Sequence, residues 1–307
     1  MRFSGVFSVL PTPFLQNGDV DHDSLRRIVD QAVAAGVDGV TVLGVTSEVA
    51  RLDERERRDV LTTIAKRVEK AARPVHIVAG ATADGLRTCI GYAREAQSLG
   101  AAAVMISPPR LAKLNSEAVV AHFAEVSAAV DMPIVVQDYP PISGFAMEPP
   151  LLVRIAREVP QARTIKLEDP PTPSKITKIL AQANGIEIDI FGGLGGVFLL
   201  EELMNGAAGA MTGFAYPEAL VEIVGLYASG NVDEAAEVFY DFVPLMRFEF
   251  QEGIGMAIRK EVLRRRGVLA HPGVRPPGPG LDPATGAALD RLLRWTKARR
   301  QAPWISV

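Results

Sequence analysis

The segment ARTIKLED (162–169) carries a lysine inside a strand-like stretch, with Lys166 between Ile165 and Leu167. A lysine in a strand covered by helices loses hydration, and desolvation moves its pKa toward the neutral, nucleophilic amine. A neutral amine is what condensation with a carbonyl requires. Strand alternation puts Glu168 on the same face as Lys166, where it can hold, orient or exchange protons with the amine or its substrate. On local sequence alone the same residues also read as an ordinary Lys–Glu pair at a strand end facing solvent.

Two further segments have suitable chemistry. In GVTSE (44–48), Gly44 lets backbone approach a ligand, and Thr46 and Ser47 offer hydroxyl and N–H groups suited to a carboxylate. The bland alternative is a capping turn before the next helix. Glu48 is assigned no catalytic part. In IVVQDYPPISG (134–144), Gln137, Asp138 and Tyr139 cluster where a strand ends, and Pro140 and Pro141 are expected to prevent an immediate helix. A plain strand-to-loop exit is the alternative there. His22, His76, His122 and His271 are scattered without ligand spacing, so no metal is expected. The one cysteine, Cys89, permits no intrachain disulfide and reads as a small core residue in a helix.

These segments sit in a repeating pattern of short apolar runs and longer amphipathic ones. Strands are expected at 7–10, 39–43, 75–79, 102–106, 134–136, 163–167, 186–191 and 208–211. Helices fall between them at 24–35, 53–71, 86–99, 116–130, 151–158, 176–183 and 196–204. The strands are Val/Ile-rich and apolar on both faces, as buried parallel strands are. About eight consecutive βα units close into a (β/α)₈ TIM barrel, whose reactive side chains project from the C-terminal strand ends. A doubly wound open sheet is disfavoured because LPTPF (10–14) stands where a glycine-rich phosphate loop would be. Beyond residue 216 helix follows helix, at 218–228, 233–246, 253–266 and 284–297, with a Pro/Gly connector at 271–280. We therefore assign 1–228 to the catalytic barrel and 229–307 to a C-terminal helical extension. Arg264, Arg265 and Arg266 fall at a helix C-terminus, where positive charge complements the macrodipole.

Composition narrows the partners. The 307 residues are 48% hydrophobic and 22% charged, with a formal net charge of −3. Binding to nucleic acid through bulk positive charge is excluded. No uninterrupted apolar run reaches the ~18 residues of a membrane span, so a cytoplasmic protein without membrane contact is expected.

Taken in order, these motifs resemble the dihydrodipicolinate synthase / N-acetylneuraminate lyase family over essentially the whole chain. GVTSE stands where the family has a G-T-T-G-E-like loop, a P-I-x-x-x-x-x-P-x-x-x-G segment spans 133–144, and the strand lysine follows. GAAGAMTG (206–213) resembles the last barrel strand. The resemblance implies that Lys166 forms an imine with a small 2-keto acid and that Thr46 and Ser47 bind its carboxylate. It also implies no metal or organic cofactor, and a homotetramer. Gln137 replaces the family's proton-relaying tyrosine, Asp138 stands at the following asparagine, and Ile142 replaces the arginine that synthases use for their aldehyde substrate. An amide cannot relay protons near neutral pH.

The V-Q-D-x-P pattern, Glu168 and GAMTG are most similar to the 2-keto-3-deoxy-sugar-acid dehydratase branch, of the 2-keto-3-deoxyarabinonate dehydratase type. In that branch Glu168 is the acid/base candidate, while Gln137 and Asp138 orient substrate hydroxyls or a water, with Tyr139 nearby. The alternatives are a dihydrodipicolinate synthase or pyruvate-type aldolase of the same family, and a non-catalytic keto-acid-binding regulator.

Overall fold

The computed structural model describes residues 2–300 and 302–305. Its eight parallel strands close in sequence order: β1 (Gly5–Val9), β2 (Gly39–Val42), β3 (His76–Gly80), β4 (Ala103–Ile106), β5 (Ile134–Asp138), β6 (Thr164–Leu167), β7 (Asp189–Gly192) and β8 (Gly209–Thr212). The helices between them are α1 (His22–Ala35), α2 (Glu54–Val68), α3 (Leu86–Ser98), α4 (Ser116–Ala129), α5 (Pro140–Ser143), α6 (Pro149–Glu158), α7 (Thr172–Gln182) and α8 (Leu199–Met204). After β8 come α9 (Pro217–Ala228), α10 (Val232–Glu249), α11 (Gly255–Arg265) and α12 (Pro283–Arg299). The expected (β/α)₈ barrel with C-terminal helices is the observed architecture.

Alternation along the strands builds two cores. Outward side chains such as Val6, Val40, Ile77, Val104, Ile134 and Ile165 join the helices in the larger one. Inward side chains Phe7, Val9, Val78, Met105, Val135, Phe191 and Met211 fill the barrel itself. Phe7 meets Phe191 edge to face, with ring centroids 5.4 Å apart, a geometry that aromatic quadrupoles favour. The barrel is thus filled with side chains below its C-terminal rim.

Local signals set the helix ends. Asp53 and Glu56 form a reciprocal capping box at α2, and Gly36 ends α1 at φ 88°, a conformation that glycine adopts without steric cost. One expectation is corrected. Pro140 and Pro141 do not delay the next helix; they begin the short α5 directly after β5, because proline fits the first helical turn, where its missing N–H is not needed.

The C-terminal region is tied to the barrel rim by buried charges. Lys260 of α11 is fully buried, pairs with Glu48 after β2, and donates to the Gly273 carbonyl at 2.9 Å. Arg51 also reaches Glu48, at 2.7 Å. Arg275 donates to the carbonyls of Gly18 and Arg51 and to the Glu56 carboxylate. Burial pulls Lys260 down to about 8, against the attraction of Glu48. Arg264 and Arg265 pair with Glu261, and Arg266 with Glu218. Cys89 is buried, and desolvation pushes its thiol up to about 11, in keeping with a core residue. Among the described residues no helix is long and apolar enough to cross a membrane.

Removing one partner of a buried pair leaves the other charge uncompensated. Lys260→Met is therefore expected to lower unfolding stability by about 3 kcal/mol in equilibrium denaturation. A change below about 0.5 kcal/mol would show that the pair does not hold the C-terminal region.

Candidate active site

Lys166 sits at the upper, C-terminal end of β6 and is 4% exposed. Its Nζ lies 3.1 Å from Glu168 Oε1, and Glu168 is likewise buried. The register places Gln137 of β5 directly opposite Lys166. From there Gln137 Nε2 donates to Glu168 Oε2 at 2.7 Å, and Ser107 Oγ donates to Gln137 Oε1 at 3.1 Å. One carboxylate thus bridges an amine and an amide, and a hydroxyl after β4 fixes the way the amide faces.

Backbone makes the room. A Cβ placed on Gly193, just beyond β7, would fall 2.4 Å from Glu168 Cγ and 3.0 Å from Lys166 Cε. Only a residue without a side chain lets this pair lie across the strand end.

Above the pair opens a cavity of about 710 Å³. Gln137, Ser107 and Met105 line it, as do Thr46, Tyr139 and Ile142. Lys166 and Glu168 are not part of that lining; they lie one hydrogen bond deeper, behind Gln137. Gly44 and Thr46 also line the cavity, from the turn that follows β2. The Tyr139 phenol is half-buried; burial raises its pKa, and the Glu168 and Glu252 carboxylates raise it further, so it is a neutral hydroxyl at ordinary pH.

Two residues expected at the substrate are placed elsewhere. Asp138 follows Gln137 in β5 and so points out of the barrel, where Lys175 of α7 donates to its Oδ2 at 2.6 Å. Burial pushes Asp138 up to about 6 despite the opposing pull of Lys175. It therefore joins β5 to α7 and lies outside the cavity lining. The Ser47 hydroxyl is turned away from the cavity and donates to the Leu10 carbonyl at 2.7 Å, while the Ser47 carbonyl accepts from Thr12 Oγ1 at 2.6 Å. Its side chain braces the turn, leaving Thr46 as the cavity-lining hydroxyl of the two.

The sequence reading also missed a wall of the cavity. Glu249, Phe250, Gln251, Glu252, Met256 and Arg259, from the end of α10 to the first turns of α11, line it. Those helices read as an appendage because their periodicity predicts burial against the barrel and says nothing of which end reaches the rim. Glu249 is fully buried, accepts from the Ala215 N–H at 3.1 Å, and lies 3.3 Å from Arg259 Nε. Burial pushes Glu249 up to about 7, opposed by Arg259. Among the described residues, no group of three or more His, Cys, Asp or Glu is gathered for a metal ion.

The model of the dihydrodipicolinate synthetase family matches residues 2–294. The chain belongs to that family. It is 33% identical, over 95% of its length and 94% of the relative's, to the L-2-keto-3-deoxyarabonate dehydratase of Azospirillum brasilense. It is 29% identical, over 95% and 97%, to the 4-hydroxy-tetrahydrodipicolinate synthase of Methanothrix thermoacetophila. The crystal structure of dihydrodipicolinate synthase from Rhodopseudomonas palustris is similar at a TM-score of 0.89 and 35% identity, covering 95% of this chain and 97% of that one. The family and these relatives are lyases, aldolases and dehydratases, and this member is an enzyme of that family.

Displacements of about 1 Å at reacting groups are enough to cost about 10²-fold in rate. Gly193→Ala, which must push Glu168 and Lys166 aside, is expected to lower kcat/KM for the family's keto-acid chemistry by at least about 10²-fold while the chain still folds. Circular dichroism and steady-state kinetics check this, and an Ala variant with full activity would contradict the placement.

Proposed function

We propose that this enzyme dehydrates a 2-keto-3-deoxy sugar acid through an imine on Lys166, with Glu168 as the acid/base. The supporting observation is the buried Lys166 Nζ at 3.1 Å from Glu168 Oε1, with Gln137 holding the other carboxylate oxygen. No phenol occupies position 137, so the proton work falls to the carboxylate beside the amine. The A. brasilense relative, named a dehydratase of this substrate class, supports the same reading.

In this scheme the Lys166 amine adds to the C2 carbonyl and water leaves, giving an iminium. Glu168 removes a C3 proton, and the electrons of that C–H bond form the enamine. The enamine pair then expels the C4 hydroxyl, which takes the proton held by Glu168 and departs as water. A water molecule hydrolyses the conjugated imine, restoring the amine; the net change is loss of one water. Thr46 and the N–H groups of its turn receive the C1 carboxylate, and the Tyr139 hydroxyl faces the substrate as a neutral hydrogen-bonding group.

The synthase name carried by other relatives is the second reading. Gln137 and Ile142 weigh against it, because neither can relay a proton or pair with a second carboxylate. A homotetramer belongs to the same proposal and is read by light scattering.

Borohydride reduction in the presence of pyruvate is expected to add a covalent adduct at Lys166 that mass spectrometry locates, and Lys166→Ala to give none. Glu168→Gln is expected to keep the adduct while turnover falls by about 10²–10⁴-fold. Across pentonate- and hexonate-derived 2-keto-3-deoxy acids, a dehydratase returns one product holding every carbon. Release of pyruvate would mean an aldolase, consumption of aspartate semialdehyde a synthase, and binding without conversion a regulator. No adduct with any keto acid would remove Lys166 from the mechanism.

A further inference from the structure

Among the buried polar atoms of cavity-lining residues that find no hydrogen-bond partner among the described residues, two belong to a single ion pair: Glu249 Oε1 and Arg259 Nη1. Their residues are 2% and 4% exposed, form an ion pair with each other through Glu249 Oε2 and Arg259 Nε, and both line the cavity above Lys166. A buried donor or acceptor left unpaired costs about 1–3 kcal/mol, so a wall carrying one of each is built to meet something that supplies both.

The pair is neutral overall, and this selects its ligand. A second carboxylate is repelled by Glu249 and an ammonium by Arg259, whereas a hydroxyl donates to the one and accepts from the other. The backbone has been cleared for the guanidinium as it has for the lysine. A Cβ on Gly213, just past β8, would fall 2.4 Å from Arg259 Nη1 and 3.0 Å from its Cζ.

Position agrees as well. Gly192 pairs with Ala210 in the β7–β8 ladder, which sets Gly193, beside Lys166, level with Met211, two residues below Gly213. With strands ~4.8 Å apart and ~3.3 Å per residue, the two glycines stand about 8 Å from each other. An extended five-carbon acid spans about 5 Å from C2 to its terminal oxygen, and a hydrogen bond of about 2.9 Å from that oxygen makes up the rest.

We infer that Glu249 and Arg259 form the subsite for the terminal hydroxyl of the substrate, and so make the site specific for a hydroxylated keto acid. The inference rests on the imine reading above. It also gives the C-terminal helices a part in choosing the substrate.

The test compares two substrates: a 2-keto-3-deoxypentonate and 2-keto-4-hydroxypentanoate, which keeps carbons one to four unchanged and lacks only the terminal hydroxyl. The wild-type enzyme is expected to prefer the first by tenfold or more in kcat/KM. In Arg259→Met and Glu249→Gln the loss on the first substrate is expected to exceed the loss on the second by about tenfold, mostly in KM. If Arg259→Met does not fold, Arg259→Lys is judged by the same ratio, since it keeps the charge but not the forked donor. Equal losses on both substrates, or no wild-type preference, would overturn the subsite. Failure of the wild-type enzyme to form a borohydride-trapped pyruvate adduct would instead overturn the imine reading, because pyruvate has no far end to bind.

Discussion

An amine and a carboxylate share the dry upper end of the barrel, and neither group can leave water cheaply without the other. Lys166 and Glu168 are both buried and 3.1 Å apart, so each lowers the desolvation cost of its neighbour. The rest of the site follows from accommodating them. Gln137 occupies the remaining carboxylate oxygen, Ser107 holds the amide in one orientation, and Gly193 gives up its side chain so that the pair can lie flat. Beneath them the aromatic and aliphatic packing of Phe7, Phe191 and Met211 fills the barrel, and the cavity opens above.

The same economy of charge shapes the surroundings. Asp138, one residue after Gln137, cannot face the cavity because alternation turns it outward, and there it joins α7 through Lys175. Glu48 binds Lys260 and Arg51 at the mouth of the turn carrying Thr46, linking the keto-acid loop to the C-terminal helices. Glu249 and Arg259 bring a second buried pair to the cavity from those helices. The barrel thus supplies the reacting groups, and the helices after it supply one side of the enclosure.

The strand carrying Lys166 was legible in the sequence because a lysine between Ile165 and Leu167 breaks an otherwise apolar run, and period-two alternation brings Glu168 to its side. The barrel was legible from the repeating order of strand and helix. Asp138 was misplaced for the reason that made β5 recognisable: a strand buried on both faces gives no hydrophobic alternation to show which way a polar residue turns, and its partner Lys175 lies 37 residues away. A hydroxyl close to a glycine suits a ligand, yet the Leu10 carbonyl takes the Ser47 hydroxyl, a contact that adjacent residues do not reveal. Glu249 and Arg259 lie in helices whose apolar periodicity reports packing and does not show which end reaches the cavity. A signal did exist: each stands among apolar neighbours on a face that the helix buries.

The account stands or falls on Lys166 reaching a keto carbon from its enclosed position. A crystal structure of the enzyme soaked with pyruvate measures this most directly. The account predicts continuous density from Nζ to C2 of the ligand, its carboxylate at the turn of Thr46, and a Glu168 oxygen within hydrogen-bonding reach of its C3. Pyruvate bound in the cavity with Lys166 still behind an unmoved Gln137, and no density joining the two, would contradict it.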